Sequence, residues 1–197
     1  MEGPPGPPGV SPAHGLEEFT DDRQFAPPDG VTTVFVQAWG AGGGGSGSDV
    51  NTGSGGGGGG FAWCLLPVQP GTPVTVDIGT PGAGGPDGAN GQPGTSSTVD
   101  NGLGGVVFAD GGNPGTGLIG GQGGYGKCPG QGTVRQGPVG GAGGAGGPGL
   151  GGRPAVNGVI PPPALSAAGI GGNGAPHPPP NERNGLPGGP GYVVIWW

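Results

Sequence analysis

The stretch Val31–Gly60, VTTVFVQAWGAGGGGSGSDVNTGSGGGGGG, limits the folds open to this chain more than any other. Val31–Trp39 is rich in β-branched and aromatic residues and reads as a strand. It runs straight into a tract that is almost entirely glycine, where no side chain can build a core. The rest of the chain repeats the move: short strand, glycine-rich excursion, strand. Glycine supplies 59 of the 197 residues and proline 27, yet no Gly-X-Y period runs through the whole chain. Such a composition usually marks disorder, but only 9% of the residues are charged. A chain poor in both charge and large apolar groups has to satisfy its backbone internally. We therefore read one all-β domain with the glycine tracts packed beside it as a second layer.

Strands are expected near 18–25, 31–39, 61–68, 73–78, 95–99, 106–109 and 191–197, and helical periodicity is absent beyond a turn or two. Val34, Val36 and Ala38 alternate with Phe35, Gln37 and Trp39, so both faces of that strand carry apolar groups, as suits an inner strand. Pro27-Pro28-Asp29-Gly30 and Pro70-Gly71 are turns by composition. Trp39, Trp63 and Trp196 are expected to be buried.

Glycine occupies positions 79, 82, 85, 88, 91 and 94, then 137, 140, 143, 146, 149 and 152, with a shorter run at 117, 120, 123 and 126. Three residues per turn is the period of the extended polyproline-type helix, which makes no internal hydrogen bonds. A bare side at every third place lets neighbours approach to backbone contact. The expectation is polyglycine II-type helices over 79–94, 117–126 and 137–152, with each run of six glycines spanning about 50 Å.

Residues 1–16 form a separate arm, and 17–197 the glycine-rich β domain. Gly3, Pro4, Pro5, Gly6, Pro7, Pro8 and Gly9 make two collagen-type triplets and the next glycine. Such triplets favour polyproline II and suit an attachment segment, in a trimer or simply as a stiff spacer. The opening MEGPPGPPGV has neither a basic n-region nor an apolar h-region, and no run is long enough to span a membrane. Synthesis and assembly in a cytoplasm are expected, with Cys64 and Cys128 reduced.

The net charge of −7 leaves no basic footprint for nucleic acid. Chemistry is scarce as well. Gly121–Cys128, GQGGYGKC, follows the phosphate-loop pattern until Cys128 stands where Ser or Thr would hold Mg²⁺. Gly44–Asp49 resembles one calcium nonapeptide repeat, but Asn51 replaces the large apolar residue and no tandem copy follows. His14 and His177 lie far apart, and nothing brings Asp77 to Asp110. No catalytic residue, cofactor or metal is assigned, and no enzyme activity is expected.

The order of landmarks carries a resemblance. FAPPDGVTTVFVQAWGAGGGG, from Phe25 to Gly45, resembles the opening of the glycine-rich domain common in bacteriophage tail proteins. Gly60–Gly85 resembles its strand, Pro-Gly turn, strand and Gly-x-x-Gly stretch, and Gly191–Trp197 its closing strand. The arrangement is also similar to the glycine-rich region of anaplastic lymphoma kinase receptors. That similarity implies a small jelly-roll-like β-sandwich with polyglycine helices inserted. The resemblance implies a structural virion protein, a minor tail or tail-tip component in a symmetric homo-oligomer that contacts other tail proteins and a host-envelope glycan or protein. Receptor-facing loop tips are placed at Ser48, Asp49 and Asn51 and at Tyr125 and Lys127. Capsid decoration or a head fibre is the alternative, and a bacterial surface or ice-binding protein ranks below it.

Overall fold

The computed structural model describes residues 14–48, 53–141, 168–175 and 183–197. These form ten strands and no helix: β1 (Leu16–Phe19), β2 (Arg23–Phe25), β3 (Thr33–Trp39), β4 (Phe61–Pro67), β5 (Val74–Asp77), β6 (Ser97–Asp100), β7 (Val106–Ala109), β8 (Gly126–Lys127), β9 (Gly132–Arg135) and β10 (Tyr192–Trp196). They build two antiparallel sheets. Sheet A has the order β1-β10-β3-β4-β9 and sheet B the order β2-β5-β6-β7-β8.

The sheets pack face to face as an all-β sandwich. Val34, Val36, Ala38, Leu66, Val193 and Ile195 of sheet A meet Val74, Val76, Val99, Val107 and Ala109 of sheet B in one buried cluster. Period-two alternation selects them, since successive side chains on a strand face opposite ways. Both sides of the sandwich are closed by chain that changes sheets, from β1 to β2 on one side and from β8 to β9 on the other.

That closure corrects two expectations. The strand read over 18–25 is broken at the polar Thr20-Asp21-Asp22, which lets Phe19 and Phe25 enter the core from different sheets. Asp22 fixes the break by accepting a hydrogen bond from the Ile78 N–H at 2.7 Å. Cys64 and Cys128 are not reduced but joined in a disulfide. Pairing of β4 with β9 places Cys64 opposite Gly132, and a Cβ on Gly132 would meet the Cys128 sulfur at 2.3 Å. The two cysteines, 64 residues apart in sequence, are thus brought together by topology. The strands β8 and β9 escape sequence reading because β8 is only two residues long and β9 is wholly exposed, without an apolar alternation.

Candidate functional site

Between β3 and β4 the chain makes its longest glycine excursion, and this excursion organises everything outside the sandwich. Gly40–Gly47 and Gly53–Gly60 are buried throughout. Their N–H groups find partners in a cycle of three. Gly40 and Gly43 donate to Gly60 and Gly57, and Ser46 to Ser54. Ala41, Gly44 and Gly47 donate to Thr95, Gln92 and Ala89, while Gly42, Gly45 and Ser48 donate to Gly189, Leu186 and Arg183. The falling partner numbers mean that all three neighbours run antiparallel to the first tract.

Carbonyl groups of the same tract serve three further neighbours. Ala41 and Gly44 accept from Gly112 and Gly115, Gly42 and Gly45 from Gly82 and Gly85, and Gly43 and Ser46 from Gly172 and Ala175. Here partner numbers rise together, so these neighbours run parallel. Six tracts therefore surround the first one. The tract Gly53–Gly60 is a second hub: Gly53, Gly56 and Gly59 donate to Ala175, Gly172 and Gly169, and Gly55 and Gly58 to Gly141 and Pro138. A partner cycle of three is the order that a helix of three residues per turn would present.

Packing explains why the hubs contain nothing larger than Ser or Ala. A Cβ on Gly42 would lie 1.8 Å from the Ile170 carbonyl oxygen, and one on Gly44 1.9 Å from that of Ala83. The two buried hub serines satisfy each other. Ser46 Oγ lies 3.2 Å from Ser54 Oγ, accepts the Ser54 N–H and donates to the Gly117 carbonyl.

The outer tracts keep glycine in register beside the hubs: Gly82, Gly85, Gly121 and Gly124 donate to Gly42, Gly45, Gly55 and Gly58, and a Cβ at 112, 115, 137, 140, 185 or 188 would meet hub backbone. Their lengths differ from expectation. The run 79–94 reverses at Pro86–Ala89, so that Gln92 N–H bonds Ala83 and Thr95 N–H bonds Thr80. The run 117–126 begins in a turn closed by the Thr116–Ile119 bridge, then returns beside 110–116 through bonds from Asn113 to Gln122 and from Asp110 to Tyr125. The six glycines of 79–94 are thus two short antiparallel legs, because the turn glycine Gly88, of positive φ, also falls on the period, while Gly117, likewise of positive φ, opens the run of four. Of the third run, 142–152 lies outside the described residues.

The bundle has two ends, and the sequence-predicted loop residues fall on both. Ser48, half-buried, marks the end of the first tract away from the sandwich. There Arg183 lies 3.8 Å from Asp87, and Asn90 Oδ1 accepts the Gly117 N–H at 3.1 Å. Leu118 and Ile119, which sequence reading did not single out, stand 57% and 70% exposed at the tip of their turn. Asp49 and Asn51 lie outside the described residues, as does the arm Gly3–Gly9. Exposed Tyr125 and Lys127 sit at the opposite end, where Tyr125 adjoins Gly60 and Lys127 belongs to β8. The two predicted tips are not brought together.

No catalytic arrangement forms among the described residues. Asp77 accepts from Thr98 at 2.9 Å and Asp110 from Ser96 at 3.0 Å, on opposite sides of β6. Cys128 of the phosphate-loop-like stretch is consumed by the disulfide. Among the described residues no three His, Cys, Asp or Glu side chains converge on a metal position. A depression lined by Leu65, Pro67, Asn101, Leu103 and Gln131 offers no acid, base or nucleophile.

The outer face of sheet A is aromatic. Trp39 packs on Phe61 at 4.9 Å and on Tyr192 at 5.6 Å, and this half of the face is buried. The Tyr192 hydroxyl donates to Glu18 at 2.6 Å. Burial, then that bond and the carboxylate's charge, push the phenol well above its ordinary pKa. Trp63 and Trp196, expected to be buried, are only half covered.

No curated protein matches the chain. The family model for a glycine-rich domain matches residues 20–197. That span takes in every strand but β1, both hubs and the turns between the tracts, and this chain belongs to the glycine-rich domain family.

Proposed function

We propose that the chain is a structural virion protein, a minor tail or tail-tip component of a bacteriophage, without enzymatic activity. Its glycine tracts are polyglycine II-type helices in this reading, and they carry recognition turns towards the host surface. The observation that bears most of the weight is the contrast between hubs and turns. Almost every hub glycine would drive a Cβ into backbone, whereas residues such as Leu118 and Ile119 project freely from a turn. A scaffold fixed by backbone contact and tips free to vary suit a protein whose partner changes.

The resemblance of Phe25–Gly45, Gly60–Gly85 and Gly191–Trp197 to phage tail domains supports the same reading. The arm Gly3–Gly9 then serves attachment within a symmetric tail assembly, and a host-envelope glycan or protein is the partner at the tips. An antibody raised against the purified protein tests this on particles from a lysate, with host adsorption measured alongside. Label at the tail tip with blocked adsorption is expected. Label on heads would transfer the protein to capsid decoration, and absence from every particle would overturn the virion assignment.

A further inference from the structure

We propose that the open half of sheet A's outer face is a docking site for an extended proline-rich segment. Its occupant is the Gly-Pro-Pro arm, Gly3–Gly9, of a second copy of this chain. The inference goes beyond the particle assignment and does not depend on it.

Strand register assembles the face. Phe35 lies opposite both Trp196 and Leu65, and Trp196 lies opposite Leu16. The Phe35 and Trp196 rings stack at 5.5 Å, and Trp63 lies 6.4 Å from Trp196. Phe35 is 42% and Leu16 44% exposed. Side chains of this kind normally lie in a core or an interface.

Polar groups on this face await partners. The indole N–H groups of Trp63 and Trp196 make no hydrogen bond among the described residues. A polyproline II segment supplies the complement. It has no internal hydrogen bonds, so its carbonyls are free to accept from the indoles. Its proline rings pack on aromatic side chains, which is how such segments are recognised.

The arm fits in length and charge. Residues 3–9 include no charged group, and neither do Leu16, Phe35, Trp63, Leu65 and Trp196. At a rise of ~3.1 Å per residue the seven residues span about 20 Å. The face from β1 to β4 is about 15 Å wide at the usual strand spacing. The root of the arm favours exchange between copies. Gly15 and Trp197 exchange both backbone hydrogen bonds at 3.0 Å, which carries the β1–β10 pairing past Trp196. At Gly15 the chain therefore continues the line of β1 along the sheet edge.

Sedimentation velocity on the full chain over a dilution series tests the proposal. Two variants accompany it: Phe35→Ala, and an arm variant carrying Pro4→Ala, Pro5→Ala, Pro7→Ala and Pro8→Ala. Far-UV circular dichroism and an intact disulfide report that each has folded. Reversible self-association is expected, weakened at least tenfold in either variant. Mixing the two should restore association, since one brings an intact arm and the other an intact face. Equal association by all three proteins, or none by the parent, overturns the proposal. A monomer whose tryptophan emission shifts to the red only in the arm variant would seat the arm on its own domain and overturn exchange. An emission shift on adding host-envelope glycans, with the arm variant unchanged from the parent, would make the face a sugar site instead.

Discussion

A Cβ built on Gly56 would lie 2.1 Å from the carbonyl oxygen of Gly43, and the atom it meets is backbone of the neighbouring hub. No rotamer change can relieve that contact, because both tracts are fixed by bonds to several neighbours at once. Gly43 alone donates to Gly57 and accepts from Gly172.

Alanine substitutions should therefore sort by position rather than by residue type. Gly56→Ala is expected to cost about 3 kcal/mol or more, since overpacking without relief is among the few causes of large losses. Gly30→Ala and Gly71→Ala meet nothing within 4 Å but hold φ at +83° and +81°. Each should cost about 1 kcal/mol from backbone strain alone. Gly130 has open space and no positive φ, so its alanine variant should be neutral or stabilised by about 0.5 kcal/mol. Urea unfolding of the four variants checks the ranking, and a mild Gly56→Ala would mean that the hubs yield.

The sandwich was legible in the sequence because its strands obey period-two burial, as Val34, Val36 and Ala38 illustrate. The bundle was legible only in part. Period-three glycine marks a tract with one side against a neighbour: Gly82 and Gly85 donate to Gly42 and Gly45 of the first hub, whereas Gly120 and Gly123 lie against Gly140 and Gly137 of another outer tract. A hub must be bare on every side, so its signal is the absence of any period, as in Gly40–Ser48. Low complexity hid it. Reversals at Pro86–Ala89 and Thr116–Ile119 were invisible because their turn glycines continue the period of the legs. The disulfide and the strands β8 and β9 depend on long-range pairing, about which local composition is silent. Leu118 and Ile119 carried one signal that could have found them, two large aliphatic residues alone in a polar, glycine-rich stretch.

The Cys64–Cys128 bond ties β4 of sheet A to the chain that follows β8 of sheet B. Closing a 64-residue loop removes unfolded-state entropy worth about 4 kcal/mol in the chain-entropy model. Reduction, or the double variant Cys64→Ala and Cys128→Ala, should lower the melting temperature by roughly 10 °C. Calorimetry with and without a thiol reductant reads this directly. An unchanged melting temperature would show that the unfolded chain gains no freedom when the link is cut.

Tyr192 gives the fold an alkaline limit. Its phenol is neutral in both folded and unfolded chains below pH about 10, so the bond to Glu18 contributes fully there. Its folded-state pKa is raised, so above that pH the unfolded chain loses its proton first. Stability then falls as pH rises towards the folded-state value. Tyr192→Phe should cost about 1 kcal/mol at neutral pH and remove this part of the alkaline decline. Denaturant unfolding of parent and variant from neutral pH to above 11 provides the comparison, and parallel curves would assign the alkaline loss to other groups.

Recognition at the far end of the bundle makes a separate prediction. Leu118 and Ile119 are 57% and 70% exposed, and the turn beneath them is held by the Thr116–Ile119 backbone bridge rather than by their side chains. Replacing both with serine should leave stability within about 0.5 kcal/mol, as for surface positions generally. If the tips contact the host, the purified double variant should need at least tenfold more protein than the parent to block particle adsorption. Competition between particles and each protein for host cells measures this. Equal blocking by parent and variant would move recognition away from this turn, and the Tyr125 and Lys127 end of the bundle would be the next to substitute.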